Sequence, residues 1–202
     1  MDALLEGYRR FRAETWPEER ARYQALARWG QRPETLVVSC SDSRVDPQTV
    51  FGAVPGELFV VRNVAGLAPP YAPDANYHGT SAALEFGVRV LGVSKIVVLG
   101  HALCGGVMAL MDGAPAEARD FVEPWMGMAA GVRDPEADTL DPEARRDRYE
   151  AAVVRLSLEN LMTFPWIAEA VEAGRLALHG FRFDIHTGIL ARVDEDGFVP
   201  VT

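Results

Sequence analysis

Three apolar runs too short to be helices constrain this chain most. Leu36–Ser39, Leu58–Val61 and Lys95–Leu99 are dominated by branched residues. Apolar runs of this length without alternation fit strands buried on both faces, which is the habit of parallel sheets. Between the last two lies His78–Leu91, where Ala83, Leu84, Gly87, Val88 and Leu91 recur at helical spacing. Strand, helix and strand in succession predict an α/β fold with a mainly parallel central β-sheet flanked by helices. Ligands in such sheets gather at the carboxyl ends of the strands.

The remaining segments attach to that frame. Leu4, Leu5, Tyr8 and Phe11 mark one amphipathic helix, and Thr15-Trp16-Pro17-Glu18 has the pattern of a capping box opening a second. Tyr23, Leu26 and Ala27 give the second helix an apolar face, and Gly30 supplies its stop. This aromatic arm can pack on its own domain or across a partner subunit; its pattern does not choose. Residues 112–148 are rich in Pro, Asp, Glu and Ala, with Asp134-Pro135 and Asp141-Pro142 as breaks, and read as short solvated helices and loops. Met126 and Met128 beside Trp125 suit either an exposed subunit contact or an ordinary amphipathic helix. Helical pattern resumes from about Arg145 to Leu161. Leu176–Ile185 and Ile189–Val193 then form strands around a turn at Thr187-Gly188. The expected organisation is a single domain over 1–202, with a helical arm at 1–34 and an α/β core at 35–202.

Composition removes several functions. A formal charge of −9, with Lys95 the only lysine and the arginines scattered, leaves no basic stripe for phosphate contacts, so a nucleic-acid partner is not expected. No apolar run approaches the roughly 18 residues of a membrane span. The amino terminus has no basic flank followed by an apolar core, so the expected location is the cytoplasm.

Only two cysteines occur, Cys40 and Cys104, and both fall at predicted strand ends. With His101 they form a set of two thiolates and an imidazole, which suits Zn²⁺. Three protein ligands and one open position match a catalytic rather than a structural zinc. The alternative is a pair of buried structural thiols. Within Cys40-Ser41-Asp42-Ser43-Arg44, Asp42 can become a fourth ligand or hydrogen-bond a zinc-bound hydroxide. Arg44 can pair with it through its planar fork and hold it off the metal. A structural ion pair at the turn would look the same. His78, His179 and His186 are more ordinary: His78 suits capping or helix packing, and the other two suit hydrogen-bonded positions.

Cys40–Arg44 followed by Gly100-His101-Ala102-Leu103-Cys104-Gly105-Gly106 resembles the β-class carbonic anhydrases. The similarity extends through Pro55–Gly66 and Ser81–Gly100 and returns weakly at Leu178-His179-Gly180. The resemblance implies zinc held by Cys40, His101 and Cys104, a catalytic pair of Asp42 and Arg44, and a backbone N–H of Gly105 near substrate. It also implies a homo-oligomer of two or more chains, with sites near the subunit interface. One subgroup of the family carries Trp three residues before the first cysteine and Tyr in the late strand, which complete a bicarbonate site with the Arg of the R-N motif. Here those positions are Val37 and Phe183, and only Arg62 remains. The other, plant-like subgroup carries Gln nine residues before the cysteine to bind substrate, as Gln31 does here, with a solvated loop amide the alternative reading of that residue.

The implied reaction is reversible hydration of carbon dioxide to bicarbonate and a proton, by attack of zinc-bound hydroxide. Asp42 would orient the nucleophile by accepting its hydrogen. Two alternatives share these ligands: a zinc hydrolase of carbon disulfide or carbonyl sulfide, and a non-catalytic bicarbonate-binding module.

Overall fold

The computed structural model describes residues 1–74, 76–195 and 197–201. Its centre is a six-stranded sheet in the order β2-β1-β3-β4-β5-β6. The strands are β1 (Thr35–Cys40), β2 (Leu58–Asn63), β3 (Lys95–His101), β4 (Ala177–Phe183), β5 (Leu190–Val193) and β6 (Phe198–Pro200). β2, β1, β3 and β4 pair in parallel, whereas β5 and β6 add antiparallel, so the mainly parallel α/β expectation holds. β6, and the short helices α3 (Pro47–Phe51) and α8 (Pro165–Glu172), carry no pattern strong enough to have been read from sequence.

The chain passes from β1 outward to β2 and then returns to place β3 on the other side of β1. That reversal makes a crevice between the carboxyl ends of β1 and β3, where open α/β sheets bind ligands. Cys40 ends β1 and His101 ends β3. Sequence reading placed His101 just after the strand; the β3–β4 ladder continues to pair it with Phe183.

Apolar packing fixes this crevice from below. Leu36, Val38, Ile96 and Val98 pack with residues of α4 (Gly79–Glu85), α7 (Pro142–Met162) and α8. A second cluster joins Cys40 and Cys104 to α5 (Gly105–Asp112), α6 (Val122–Gly127) and α7. Residues 112–148 are indeed short helices and loops, yet they wall this second cluster. Met126 is buried within it at 2% exposure while Met128 is exposed, which fits the amphipathic alternative and not an exposed methionine pair, and Trp125 donates its indole N–H to the Val64 carbonyl at 2.8 Å.

The amino-terminal arm departs from its sequence pattern. α1 (Asp2–Arg10) and α2 (Trp16–Trp29) run as one helix through a π-turn at Phe11–Thr15. Thr15 stays in helical backbone and makes no capping bond, so the capping box does not form. The Trp16 N–H bonds to the Phe11 carbonyl five residues back, and this wider turn carries the chain into Pro17 without a break. Gly30 ends the helix as expected, at φ +80°.

Candidate metal and catalytic centre

Two turns meet in the crevice. The first, after β1, carries Cys40, Asp42 and Arg44. Asp42 folds back so that one carboxylate oxygen accepts from both the Arg44 backbone N–H and its Nε, each at 2.9 Å. The other oxygen accepts from Nη2 at 2.7 Å. This two-pronged pair holds the Asp42 carboxyl far below the usual carboxylate range, with the Arg44 hydrogen bonds the largest cause. Arg62, reaching over from β2, donates to the carbonyls of Cys40 (2.8 Å), Asp42 (2.6 Å) and Val45 (2.7 Å). One guanidinium therefore straps the whole turn.

The R-N-V-A-G segment supports both turns. Asn63 accepts from the Leu67 N–H and donates to the Leu67 carbonyl and to Thr80 Oγ1, which closes its loop. Gly66, at φ +62°, lies so near the end of β1 that a Cβ would stand 3.0 Å from the Cys40 nitrogen. Only glycine meets both demands without strain.

The second turn, His101–Gly106, leads into α5. His101 is 1% exposed, and its Nδ1 lies 2.9 Å from the Ala102 carbonyl. That contact fixes the proton on Nδ1 and leaves Nε2 with a free lone pair. Nε2 is buried and has no partner, which is costly unless a further group completes it. The Cys40 and Cys104 sulfurs stand 3.9 Å apart, and one ligand atom from each of Cys40, His101 and Cys104 lies within 4.8 Å of the others. Two sulfurs, each about 2.3 Å from one tetrahedral zinc, would be separated by about 3.8 Å. The donor set and its spacing therefore fit zinc. Their mutual hydrogen bond lowers the pKa of the Cys40 thiol against its own burial and, together with burial, raises that of Cys104.

Asp42 Oδ2 lies 3.9 Å from His101 Nε2, close to this cluster, but both its oxygens are engaged by Arg44. Gly105 opens α5 beside Cys104, is exposed, and has nothing within 4 Å of where a Cβ would lie. Gln31 is not brought to this point. It precedes the amino end of β1, in a shallow cleft with Pro33, Val90, Leu91 and Ser94, and the length of β1, about 20 Å at 3.3 Å per residue, separates it from the cluster of its own chain. His78 occupies an N-cap position but makes no capping bond, pairing instead with Asp74 at 2.6 Å. His179 stacks against Phe181 on β4.

Sequence reasoning missed the second turn's supports. Leu103 has φ +58°, its N–H bonds to Glu150 at 2.8 Å, and its carbonyl accepts from Arg44 Nη2 at 3.1 Å. Glu150 is 47 residues away in the chain, and only the packing of α7 reveals it.

Comparison with known proteins agrees with this geometry. The carbonic anhydrase family model matches residues 35–190. A carbonic anhydrase of Pseudomonas aeruginosa is 37% identical over 196 residues, which cover 96% of this chain and 88% of that protein. The solved β-carbonic anhydrase CcaA superposes with a TM-score of 0.89 at 31% identity, covering 100% of this chain and 99% of that one. A structure from a study of two tetrameric β-carbonic anhydrases of Sordaria macrospora gives 0.84 at 31% identity, covering 95% of each chain.

Proposed function

We infer the division of labour in this site from one premise: the chain belongs to the β-class carbonic anhydrases and catalyses reversible hydration of carbon dioxide to bicarbonate and a proton, with zinc as cofactor. Zinc, when bound, supplies a Lewis acid that acidifies water and offsets developing anionic charge. We assign Cys40, His101 and Cys104 as its ligands. The observation that carries this assignment is the buried, unpartnered Nε2 of His101 beside two sulfurs at the spacing of a tetrahedral edge.

Asp42 and Arg44 form the catalytic pair. Asp42 stays ionised and accepts a hydrogen bond from the attacking water, which turns a lone pair towards carbon dioxide. Arg44 occupies both carboxylate oxygens and so keeps Asp42 from joining the ligands. The Gly105 N–H, an unspent donor in the first turn of α5, receives negative charge on the product. Arg62 already serves three carbonyls of the Cys40–Val45 turn, and Val37 and Phe183 replace the other two members of a bicarbonate site. These features favour the plant-like subgroup without bicarbonate regulation.

Self-association follows from the surface. None of the residues of α1, the π-turn or α2 is buried, although Leu4, Tyr8 and Trp29 are large and apolar. A mostly apolar cleft of about 860 Å³ beside Arg62 and Asn63 opens between Val64, Tyr77, Phe121, Trp125 and Met128. A dimer or higher homo-oligomer covers such surfaces, and a second copy is the route by which Gln31 reaches a site and binds substrate. We treat 1–202 as one domain, with 1–34 the arm and 35–202 the zinc-binding core. Its place is the cytoplasm: both cysteines are free, and a reducing compartment preserves a close thiol pair as metal ligands. Among the described residues no helix is long and apolar enough to cross a membrane.

Stopped-flow hydration of carbon dioxide at alkaline pH, with zinc assayed on the same sample, tests this reading. Rapid acidification with about one zinc per chain is expected. Full zinc without turnover would overturn the catalytic roles of Asp42 and Arg44.

A further inference from the structure

Among the described residues Glu150 is the only buried acid, at 4% exposure, and the chemistry above does not use it. It projects from α7 and divides its two oxygens. Oε1 accepts the Leu103 N–H at 2.8 Å, and Oε2 accepts Arg182 Nε at 2.6 Å. Arg182 lies on β4 opposite Gly100, is held by Asp147 at 2.7 Å, and has its guanidinium over the Phe198 ring at 4.7 Å.

The approach of α7 depends on two glycines. A Cβ on Gly100 or on Gly180 would stand 2.8 Å from a methyl of Val154, one helical turn beyond Glu150. The carboxylate is thereby lowered onto the back of the metal-ligand turn. The residue it holds is Leu103, in a left-handed conformation that leucine avoids. The same residue presents its carbonyl to Arg44 on the other side. One residue thus joins the buried Arg182–Glu150 pair to the Arg44–Asp42 pair, with Cys104 next in the chain.

We propose that Glu150 is a positioning residue for this centre: fixed by Arg182, it clamps Leu103 and thereby sets the placement of Cys104 and the aim of Arg44 on Asp42. The proposal rests on the functional reading of the site given above. A neutral group of the same length keeps half of the clamp, because Gln can still accept from Leu103 but meets Arg182 with reduced attraction. An apolar group keeps none of it.

The test compares Glu150→Gln, Glu150→Leu and Glu150→Leu/Leu103→Gly with the parent zinc enzyme, and with Ile167→Val as a core control remote from the site. Positioning predicts that Glu150→Leu lowers kcat per bound zinc about 30-fold with KM within about twofold, since an interaction that aims the reacting groups acts on the transition state. Zinc release to a chelator should quicken about tenfold, and the absorption of the cobalt-substituted protein should shift as the Cys104 sulfur moves. Leu103→Gly should restore part of the loss, because glycine holds the left-handed turn unaided. Glu150→Gln should fall between parent and Glu150→Leu, and it supplies the measurement if the leucine variant does not fold. The proposal is overturned if kcat per zinc, zinc release and the cobalt spectrum match the parent while only the melting temperature falls, as in Ile167→Val. An inactive parent with full zinc would instead overturn the functional reading.

Discussion

The turn that carries Cys40 is wired from within, by Asp42 and Arg44 of the same segment and by Arg62 from the adjoining strand. The turn that carries His101 and Cys104 is wired from a distance, by a carboxylate that lies in the middle of α7. Both surround the same point, yet substitutions should act on them differently. The first turn holds its reactive side chains in one short stretch, strapped by the next strand, so a single change can remove activity while leaving the metal. In the second, the donor atoms are local but their support is remote, so metal retention and geometry depend on the packing of a helix.

The largest effect should come from the second turn's donor. Cys104→Ser is expected to drop zinc well below one per chain and lower activity by at least about a thousandfold, roughly 4 kcal/mol in the barrier; metal analysis beside stopped-flow rates would reveal it. Asp42→Asn should instead keep zinc and lose about a hundredfold in kcat, near 2.7 kcal/mol, because an amide neither pairs with Arg44 in the same way nor accepts the hydrogen as well. Full activity in that variant would break the contrast at the first turn.

Activity should also rise by about tenfold from pH 7 to 9. Two thiolates give zinc more negative charge than imidazoles do, so water at this site should be less acidic than the value of about 7 established for carbonic anhydrase zinc on three histidines. A flat rate profile would contradict this. Asp42 does not shape that limb. Its folded pKa lies below the unfolded value of about 3.9, so it binds fewer protons when folded. Its contribution to stability is present above that value and is lost as pH falls from there towards the folded pKa.

The smallest effect on turnover is expected at Arg62. Arg62→Ala removes three charge-assisted bonds to backbone carbonyls and should cost about 2–3 kcal/mol, or about 5–10 °C in Tm, by calorimetry. The Asp42–Arg44 pair would keep its own contacts. A loss of activity at Arg62 as large as that at Asp42 would show that the strap is part of the reaction.

The same contrast explains what was legible in the sequence. Strands β1 to β3, and the donors after β1 and β3, were readable because buried branched runs and the short Cys40–Arg44 and His101–Cys104 stretches are local signals. The strain at Leu103 and the clamp of Glu150 were not, since they arise where α7 settles onto Gly100 and Gly180. In the arm, a local cue misled: Thr15 and Glu18 have the capping pattern, but helical continuity through a π-turn satisfied the backbone instead. Gln31 was singled out by spacing alone, and spacing does not carry it past the far end of β1 to the cluster of its own chain.

The sulfur ligands come from positions 64 residues apart and meet only when β3 has paired with β1. An unfolded chain can offer the local His101–Cys104 chelate, but recruiting Cys40 requires closing a long loop. Metal affinity and folding are therefore one thermodynamic quantity seen from two sides. Free zinc at a hundred times its dissociation constant would add about 2.7 kcal/mol to the native state, so metal occupancy and resistance to unfolding rise together.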